Sequence, residues 1–205
     1  MLGELRLRRL TPAGAQPTVP LLQEDDRRVT TDSLEIMKRA DELSGERSLR
    51  SASAEAADWA ERLEAPLALI RRRVTHRLIS DRTALREAAR TALPFWLQWA
   101  SPAAGMLGAR FIARKYSVEI GSEPPPDSIA SVLDDIRKEL HGRQPLSALD
   151  IMWATFLQGV LPSELGPNLG PATRRAWTWE ELAPSYPDLL EWRDRIYRDF
   201  RYRGG

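Results

Sequence analysis

Apolar and polar residues near the N-terminus follow the spacing of two short strands. Residues 18–23 form an apolar run with β-branched side chains and a proline, which is typical of a strand. Residues 24–27 are charged and predict a tight turn, and residues 28–31 predict a second strand. The two strands are close enough in sequence to pair as an antiparallel hairpin. Residues 5–10, in which Leu5, Leu7 and Leu10 lie among charged residues, predict another strand.

A helix is predicted directly after the hairpin. Asp32 and Glu35 have the spacing of a capping box, in which a side chain at each position satisfies the backbone of the other. The apolar positions that follow lie on or near one helical face, namely Leu34, Ile36, Met37, Ala40 and Leu43. Residues 44–48 are polar and contain Gly45, so we expect the helix to end in a linker.

Helical spacing dominates the rest of the chain. It predicts helices over residues 54–73, 81–93 and 127–140. Pro66 lies inside the first of these and predicts a kink or a break there, because proline lacks the amide that a helix interior uses.

A second capping box is predicted at Ser147, with Asp150 three residues later. Leu146 and Ile151 have the spacing of the hydrophobic staple that accompanies such a box. The signal predicts a well-nucleated, largely buried helix, and the role we expect for Ser147 and Asp150 is structural.

Composition narrows the possible functions. The chain has 205 residues, 30 basic and 29 acidic side chains and a net charge of +1, which gives no general reason to expect nucleic acid or membrane as partners. No cysteine is present, which excludes disulfides, thiolate metal sites and a cysteine nucleophile. There is no signal-peptide pattern and no apolar run of about 18 residues, so we expect a cytoplasmic protein.

Other chemical candidates have simpler explanations. The arginines at 71–73 follow acidic residues on a predicted helix, which is typical of a solvated face. His76 and His141 are far apart and show no metal-ligand or catalytic-triad spacing, so we expect no metal site. Phe95, Trp96 and Trp99 are more typical of a core than of a ligand pocket.

The hairpin and its helix have the features of a site for a small zwitterionic peptide. Proline permits a cis bond before Pro20, and a cis bond there would expose strand backbone, with which an extended peptide can pair. The N-terminus of the following helix attracts a carboxylate, to which the Ser33 hydroxyl adds a donor. Asp32 can accept an ammonium group.

These residues resemble the glutathione-binding half of a glutathione S-transferase, of the bacterial type. The resemblance implies that Val19 and Pro20, with Thr18 more loosely, contact the cysteinyl backbone of glutathione. It also implies that Asp32 and Ser33 bind its γ-glutamyl end. Glutathione is then the expected ligand or co-substrate.

The resemblance extends to domain organisation. It implies an α+β, mostly α fold, with a shortened thioredoxin-like part at residues 1–45, a linker at 46–52 and an all-α domain at 53–205. The family carries a capping box like that of Ser147 and Asp150 on the central helix of its all-α domain, and residues 186–195 resemble its last helix. The family also implies an apolar electrophile pocket, for which Trp96, Trp99 and Tyr116 are the candidates, and a homodimer.

Two hypotheses of function follow. The first is a transferase that conjugates glutathione to an apolar electrophile, with the thiol activated as thiolate. The second is a non-catalytic binding module, since the family's first strand and helix, which carry the activating Tyr, Ser or Cys, have no counterpart before residue 5. Either the start site is misassigned or the domain is reduced, and no catalytic residue is assigned. A helical nucleic-acid binder is a third, weaker alternative.

Overall fold

The computed structural model describes residues 20–24, 29–44, 49–92, 124–140 and 146–201. Within this part of the chain there are seven α-helices and one two-stranded sheet, so the expected mostly helical, α+β character is confirmed there. None of these helices combines the length and the apolarity needed to cross a membrane. The thioredoxin-like nature of the N-terminal part stays a prediction.

The described residues fall into two compact units. The first lies within residues 1–61 and 145–151, and the second within residues 62–144 and 152–205. The domain boundaries predicted at residues 45 and 53 stay a prediction. Each unit is described by itself below.

The first unit begins with the hairpin that the sequence predicts. Strand β1, Leu21–Gln23, pairs antiparallel with β2, Val29–Thr31. Helix α1, Ser33–Ser44, follows immediately, and none of its residues is fully buried. A two-stranded sheet with so little buried surface is marginally stable alone. The side-chain contacts that join it to α1 therefore help to hold its geometry.

The rest of the first unit is the start of two further helices. Helix α2 begins at Ala54, where the Ser53 hydroxyl accepts a hydrogen bond from the amide of Ala56 at 3.1 Å. Helix α5 begins at Ala148. Among the described residues of this unit, the fully buried apolar side chains come from these two starts: Ala56, Trp59, Ala148 and Leu149.

All the secondary-structure elements described in the second unit are helical. After residues 62–80 of α2, which ends at Ser80, it contains α3, Arg82–Ala92, and α4, Asp127–Glu139. The remaining elements are the end of α5 at Phe156, a 3₁₀ turn at Leu157–Gly159, α6 at Pro171–Trp177, a 3₁₀ turn at Ala183–Ser185, α7 at Pro187–Ile196 and a π-helical turn at Tyr197–Arg201. The helices predicted at 127–140 and 186–195 are present within one residue at each end.

Large apolar side chains from several helices and from the segments between them form the core of this unit. Its fully buried members include Leu63, Ile129, Leu133, Ile136, Trp153, Phe156, Leu157, Trp179 and Leu189. Small side chains let α3 and α6 approach closely, since Ala84 packs against Ala172 and Ala176.

Pro66 neither ends nor splits its helix, so the alternative of a break is wrong. Helix α2 runs without interruption from Ala54 to Ser80 and extends seven residues beyond the predicted end at 73. A proline costs a helix roughly 3 kcal/mol in isolation, but buried side chains on both sides, such as Leu63 and Ile70, hold the helix through tertiary packing.

The arginines at 71–73 do not share one solvated face. Arg71 is exposed, as expected, but only 1% of Arg73 is accessible to solvent. The Arg73 guanidinium donates to the carbonyl of Thr178 at 2.8 Å and lies 4.6 Å from the ring centroid of Trp179. The solvated-face interpretation is therefore wrong for Arg73, because the aromatic ring and a backbone carbonyl replace its water.

Candidate functional site

The hairpin register brings together three of the predicted ligand residues. Leu21 lies opposite Thr31, and Pro20 and Asp32 are the residues next to this last pair, at the end of the sheet where β1 begins and β2 ends. Ser33 starts α1 at the same place. Pro20, Asp32 and Ser33 are all exposed, so a ligand can reach them.

Asp32 is the N-cap of α1. Its Oδ1 accepts hydrogen bonds from the amides of Leu34 at 2.8 Å and Glu35 at 3.2 Å, and its carbonyl accepts from Ile36 at 3.0 Å. Glu35 does not complete the predicted box within the described residues, because its carboxylate accepts from the Lys38 ammonium at 2.7 Å. The cap is thus one-sided and depends on Asp32 alone.

Asp32 also has an unusual backbone conformation, with φ at +78°. Residues other than glycine rarely adopt positive φ, and aspartate is one of the few that tolerate it. Such a conformation persists only when its surroundings impose it, and conformations of this kind concentrate at ligand-binding positions. Here the strained residue is the one whose carboxylate starts the helix.

The cap leaves a defined set of groups for a ligand. Two of the first amides of α1 are already used by Asp32 Oδ1. No described residue accepts a hydrogen bond from the amide or the hydroxyl of Ser33, and Oδ2 of Asp32 has no described donor. Two donors at a helix N-terminus suit a carboxylate, and a carboxylate oxygen beside them suits an ammonium group.

An ion pair fixes α1 to the end of β1. The guanidinium of Arg39 donates to Glu24 through Nε at 2.9 Å and through Nη2 at 2.6 Å, and through Nη1 to Glu42 at 2.8 Å. Hydrogen bonds from Glu24 and then Glu42 raise the pKa of Arg39. Arg39 and Glu24 are 15 residues apart, so the sequence contains no spacing signal for this contact.

A second carboxylate ties the end of α1 to the segment before α2. Asp41 accepts from the amide of Leu49 at 2.5 Å, and from the amide and hydroxyl of Ser51 at 3.0 and 2.5 Å. Ser51 is fully buried, so these bonds satisfy groups that water cannot reach. Leu49 in turn accepts from the amide of Ala148, at 2.7 Å.

The hydrogen bonds of the second capping box are formed. Oδ2 of Asp150 accepts from the amide and the hydroxyl of Ser147, each at 2.7 Å, and the amide of Asp150 donates to Ser147 Oγ at 3.4 Å. Both residues are buried. The pair starts α5 and offers nothing to a ligand, in keeping with a structural role.

The remaining predicted site residues are Thr18, Val19, Trp96, Trp99 and Tyr116, which lie outside the described residues. The contact of glutathione with residues 18 and 19 and the electrophile pocket therefore stay predictions. His141 lies outside the described residues as well, and His76 is half-buried on α2.

No protein-family model matches this chain, and neither the curated proteins nor the solved structures contain a significant match to it. The case for a function therefore rests on the residues themselves and on their geometry.

Proposed function

We propose that this chain binds glutathione at the end of the hairpin formed by β1 and β2, as a glutathione S-transferase-like protein. The proposal includes a shortened thioredoxin-like part that holds the site, an all-α remainder, a cytoplasmic location and a homodimer. A conjugation reaction with an apolar electrophile is a separate step, which is treated below.

The observation that carries the proposal is the register of the hairpin. Leu21 is paired with Thr31, so Pro20 and Asp32, the residues next to this pair, lie at the same end of the hairpin, with Ser33 directly after Asp32. These three are the described members of the set that resembles the family's glutathione site. The positive φ of Asp32 supports the proposal further, because it is a structural observation that is independent of the sequence resemblance.

The chemistry of the γ-glutamyl end matches the groups that the cap leaves over. Its α-carboxylate accepts from the amide and hydroxyl of Ser33, where the partial positive charge of the helix N-terminus adds to the attraction. Its α-ammonium donates to Oδ2 of Asp32, since Oδ1 is occupied by the amides of Leu34 and Glu35. The peptide then extends toward Pro20 and the start of β1.

Isothermal calorimetry with reduced glutathione tests the proposal. We expect a dissociation constant between about 10⁻⁶ and 10⁻³ M for the unaltered chain. Asp32→Asn keeps a good N-cap but removes the charge, so we expect binding to weaken about tenfold or more, because charge-assisted hydrogen bonds contribute about 1.5–3 kcal/mol. Ser33→Ala removes one donor and should weaken binding by a smaller factor.

The chain offers a matched control for the aspartate variant. Asp81 caps α3 in the same way, with Oδ1 accepting from the amides of Thr83 at 2.7 Å and Ala84 at 3.2 Å. Asp81→Asn therefore makes the same chemical change at another helix start and should leave glutathione binding unchanged. Absence of binding by the folded, unaltered chain contradicts the proposal, and so does equal weakening by Asp32→Asn and Asp81→Asn.

Binding without turnover is the second candidate function, and the position of Ser33 favours it. Activation of the glutathione thiol requires a donor beside the sulfur. The described residues of the hairpin and α1 include no tyrosine and no cysteine, and Ser33 lies where the γ-glutamyl end is expected. Binding of S-methylglutathione as tight as that of glutathione, with no conjugation of a chromogenic electrophile, supports this candidate. Measurable conjugation contradicts it.

A further inference from the structure

Three arginines form a ridge along the exposed face of α3. Arg82, Arg86 and Arg90 follow one another at intervals of four residues, and all three are exposed. Four residues of an α-helix span about 6 Å along its axis and return to nearly the same side, so the three charges lie in a row of about 12 Å. We call Arg82, Arg86 and Arg90 the α3 ridge.

The ridge arginines differ from most other arginines of the described residues in having no partner there. No hydrogen bond or ion pair joins Arg82, Arg86 or Arg90 to any described residue. By contrast, Arg137 is held by Asp188 at 2.6 Å and Arg62 by Asp135 at 2.7 Å. The charge of the ridge is therefore not neutralised by the described part of the protein.

The opposite face of α3 packs into the interior of the second unit. Ala84 and Leu85 are buried, and Ala84 packs on α6. The acidic residue of α3, Glu87, is occupied as well, since its carboxylate accepts from the amide of Thr173 at 2.8 Å. The basic face of α3 is thus exposed, whereas its apolar face and its carboxylate contact α6.

We propose that the α3 ridge is a docking surface for the phosphate backbone of a nucleic acid, bound without regard to base sequence. The inference is independent of glutathione binding, which concerns the other unit. Net charge and residues 71–73 gave no reason to expect nucleic acid from the sequence, but recognition of this kind depends on the local distribution of charge and not on the total.

The chemistry of the ridge favours phosphates over other anions. Each guanidinium presents paired donors that fit a phosphate in a bidentate manner, and its weak hydration lowers the cost of contact. A regular row of cations matches a polymer with regularly spaced charges. A membrane surface fits less well, because an interfacial helix inserts an apolar face and that of α3 is packed on α6.

The salt dependence of binding tests this inference. Fluorescence anisotropy with a labelled single strand of mixed sequence, and with its duplex, gives the observed binding constant as a function of salt. Three phosphate contacts predict a slope of log K against log salt of about −2.1 for the single strand and about −2.7 for the duplex. The single-strand affinity should then fall about 20-fold between about 50 and 200 mM salt.

Two double variants separate the ridge from overall charge. Arg86→Gln with Arg90→Gln removes two ridge charges and keeps side chains of similar helix propensity. Arg195→Gln with Arg198→Gln removes two exposed arginines from the C-terminal region instead. We expect the ridge variant to reduce the magnitude of the slope by about 1.4 for the single strand and about 1.8 for the duplex, and the control to leave it unchanged.

Several outcomes overturn the inference. One is a lack of nucleic-acid binding at low salt by the unaltered, folded chain. Another is an equal loss in the two double variants, which indicates attraction to overall charge. The third is ridge-dependent binding of polyglutamate or of anionic vesicles as tight as that of the oligonucleotides, which assigns the ridge to an acidic protein or to a lipid surface.

Discussion

The carboxylate of Asp150 accepts hydrogen bonds from both donors of Ser147, its amide and its hydroxyl, each at 2.7 Å. Both residues are buried, so water does not replace these bonds when one partner is removed. The pair fixes the first turn of α5, and the next residue, Ala148, donates to the carbonyl of Leu49. The start of this helix is thereby joined to the segment that precedes α2.

Substitutions of this pair should have unequal costs. Asp150→Ala leaves the amide and hydroxyl of Ser147 buried without an acceptor, so we expect a loss of about 2–3 kcal/mol in the free energy of unfolding. Ser147→Ala removes the N-cap and one donor and should cost about 1 kcal/mol. Urea denaturation measures both. Ser131→Ala, at an exposed position inside α4, is the control and should change stability by less than about 0.5 kcal/mol. A larger loss for Ser147→Ala than for Asp150→Ala contradicts the prediction.

The positive φ of Asp32 predicts a pattern of stability across three substitutions. Asp32→Asn keeps both the cap and the tolerance of positive φ and should be nearly neutral. Asp32→Ala loses both and should destabilise by about 2 kcal/mol, of which about 1 kcal/mol is the cap. Asp32→Gly should cost only a few tenths of a kcal/mol. Asp81→Ala removes a helix cap at a residue of ordinary φ. Chemical denaturation should therefore show a smaller loss of stability for Asp81→Ala than for Asp32→Ala. Equal losses for these two variants mean that the conformation of Asp32 carries no strain.

An ion pair between α4 and α7 predicts a dependence of stability on pH. Arg137 donates to Asp188 at 2.7 and 2.6 Å, and these bonds lower the pKa of Asp188 below 3.8. A carboxyl with a lower pKa in the folded state stabilises the protein above its unfolded pKa, and this contribution is lost as the pH falls through the folded-state value. We expect Asp188→Asn to reduce stability at neutral pH by at most about 1 kcal/mol, since the pair is partly exposed.

The difference between this variant and the unaltered chain should shrink once the pH falls below about 3.8 and should vanish at lower pH. Thermal unfolding across the acid range measures it. Glu191→Gln, an exposed change on the same helix, is the control and should show no such convergence. A difference that stays constant with pH contradicts the role of the ion pair.

Gly159 lies against the side chain of Ile70, which leaves no space for a larger residue. A Cβ at position 159 overlaps with Cγ2 and Cδ1 of Ile70, and Ile70 is itself buried. We expect Gly159→Ala to destabilise by about 1–3 kcal/mol through overpacking. When it is combined with Ile70→Ala, the total loss should be smaller than the sum of the single losses by about 1 kcal/mol or more. Strict additivity in a double-mutant cycle contradicts the steric explanation.

Local signals in the sequence were sufficient for much of the helical architecture. The pairing of the two strands, the helix start at Asp32 and the helix after Pro126 were predicted from local signals, because caps, turns and periodicity act over a few residues. The prediction failed where a distant contact outweighed a local rule. Pro66 does not break α2, and Arg73 is buried on Trp179, which is more than 100 residues away in sequence.

The sequence by itself determined that Asp32 and Ser33 start a helix and that Ser147 pairs with Asp150. Each of these follows from spacings of a few residues. Only the tertiary structure decided that Glu24 holds Arg39, and which of the described arginines are buried or paired there. The physical reason is that the partners of charged side chains are chosen by packing between segments that lie apart in the sequence, for which one sequence carries no local signal.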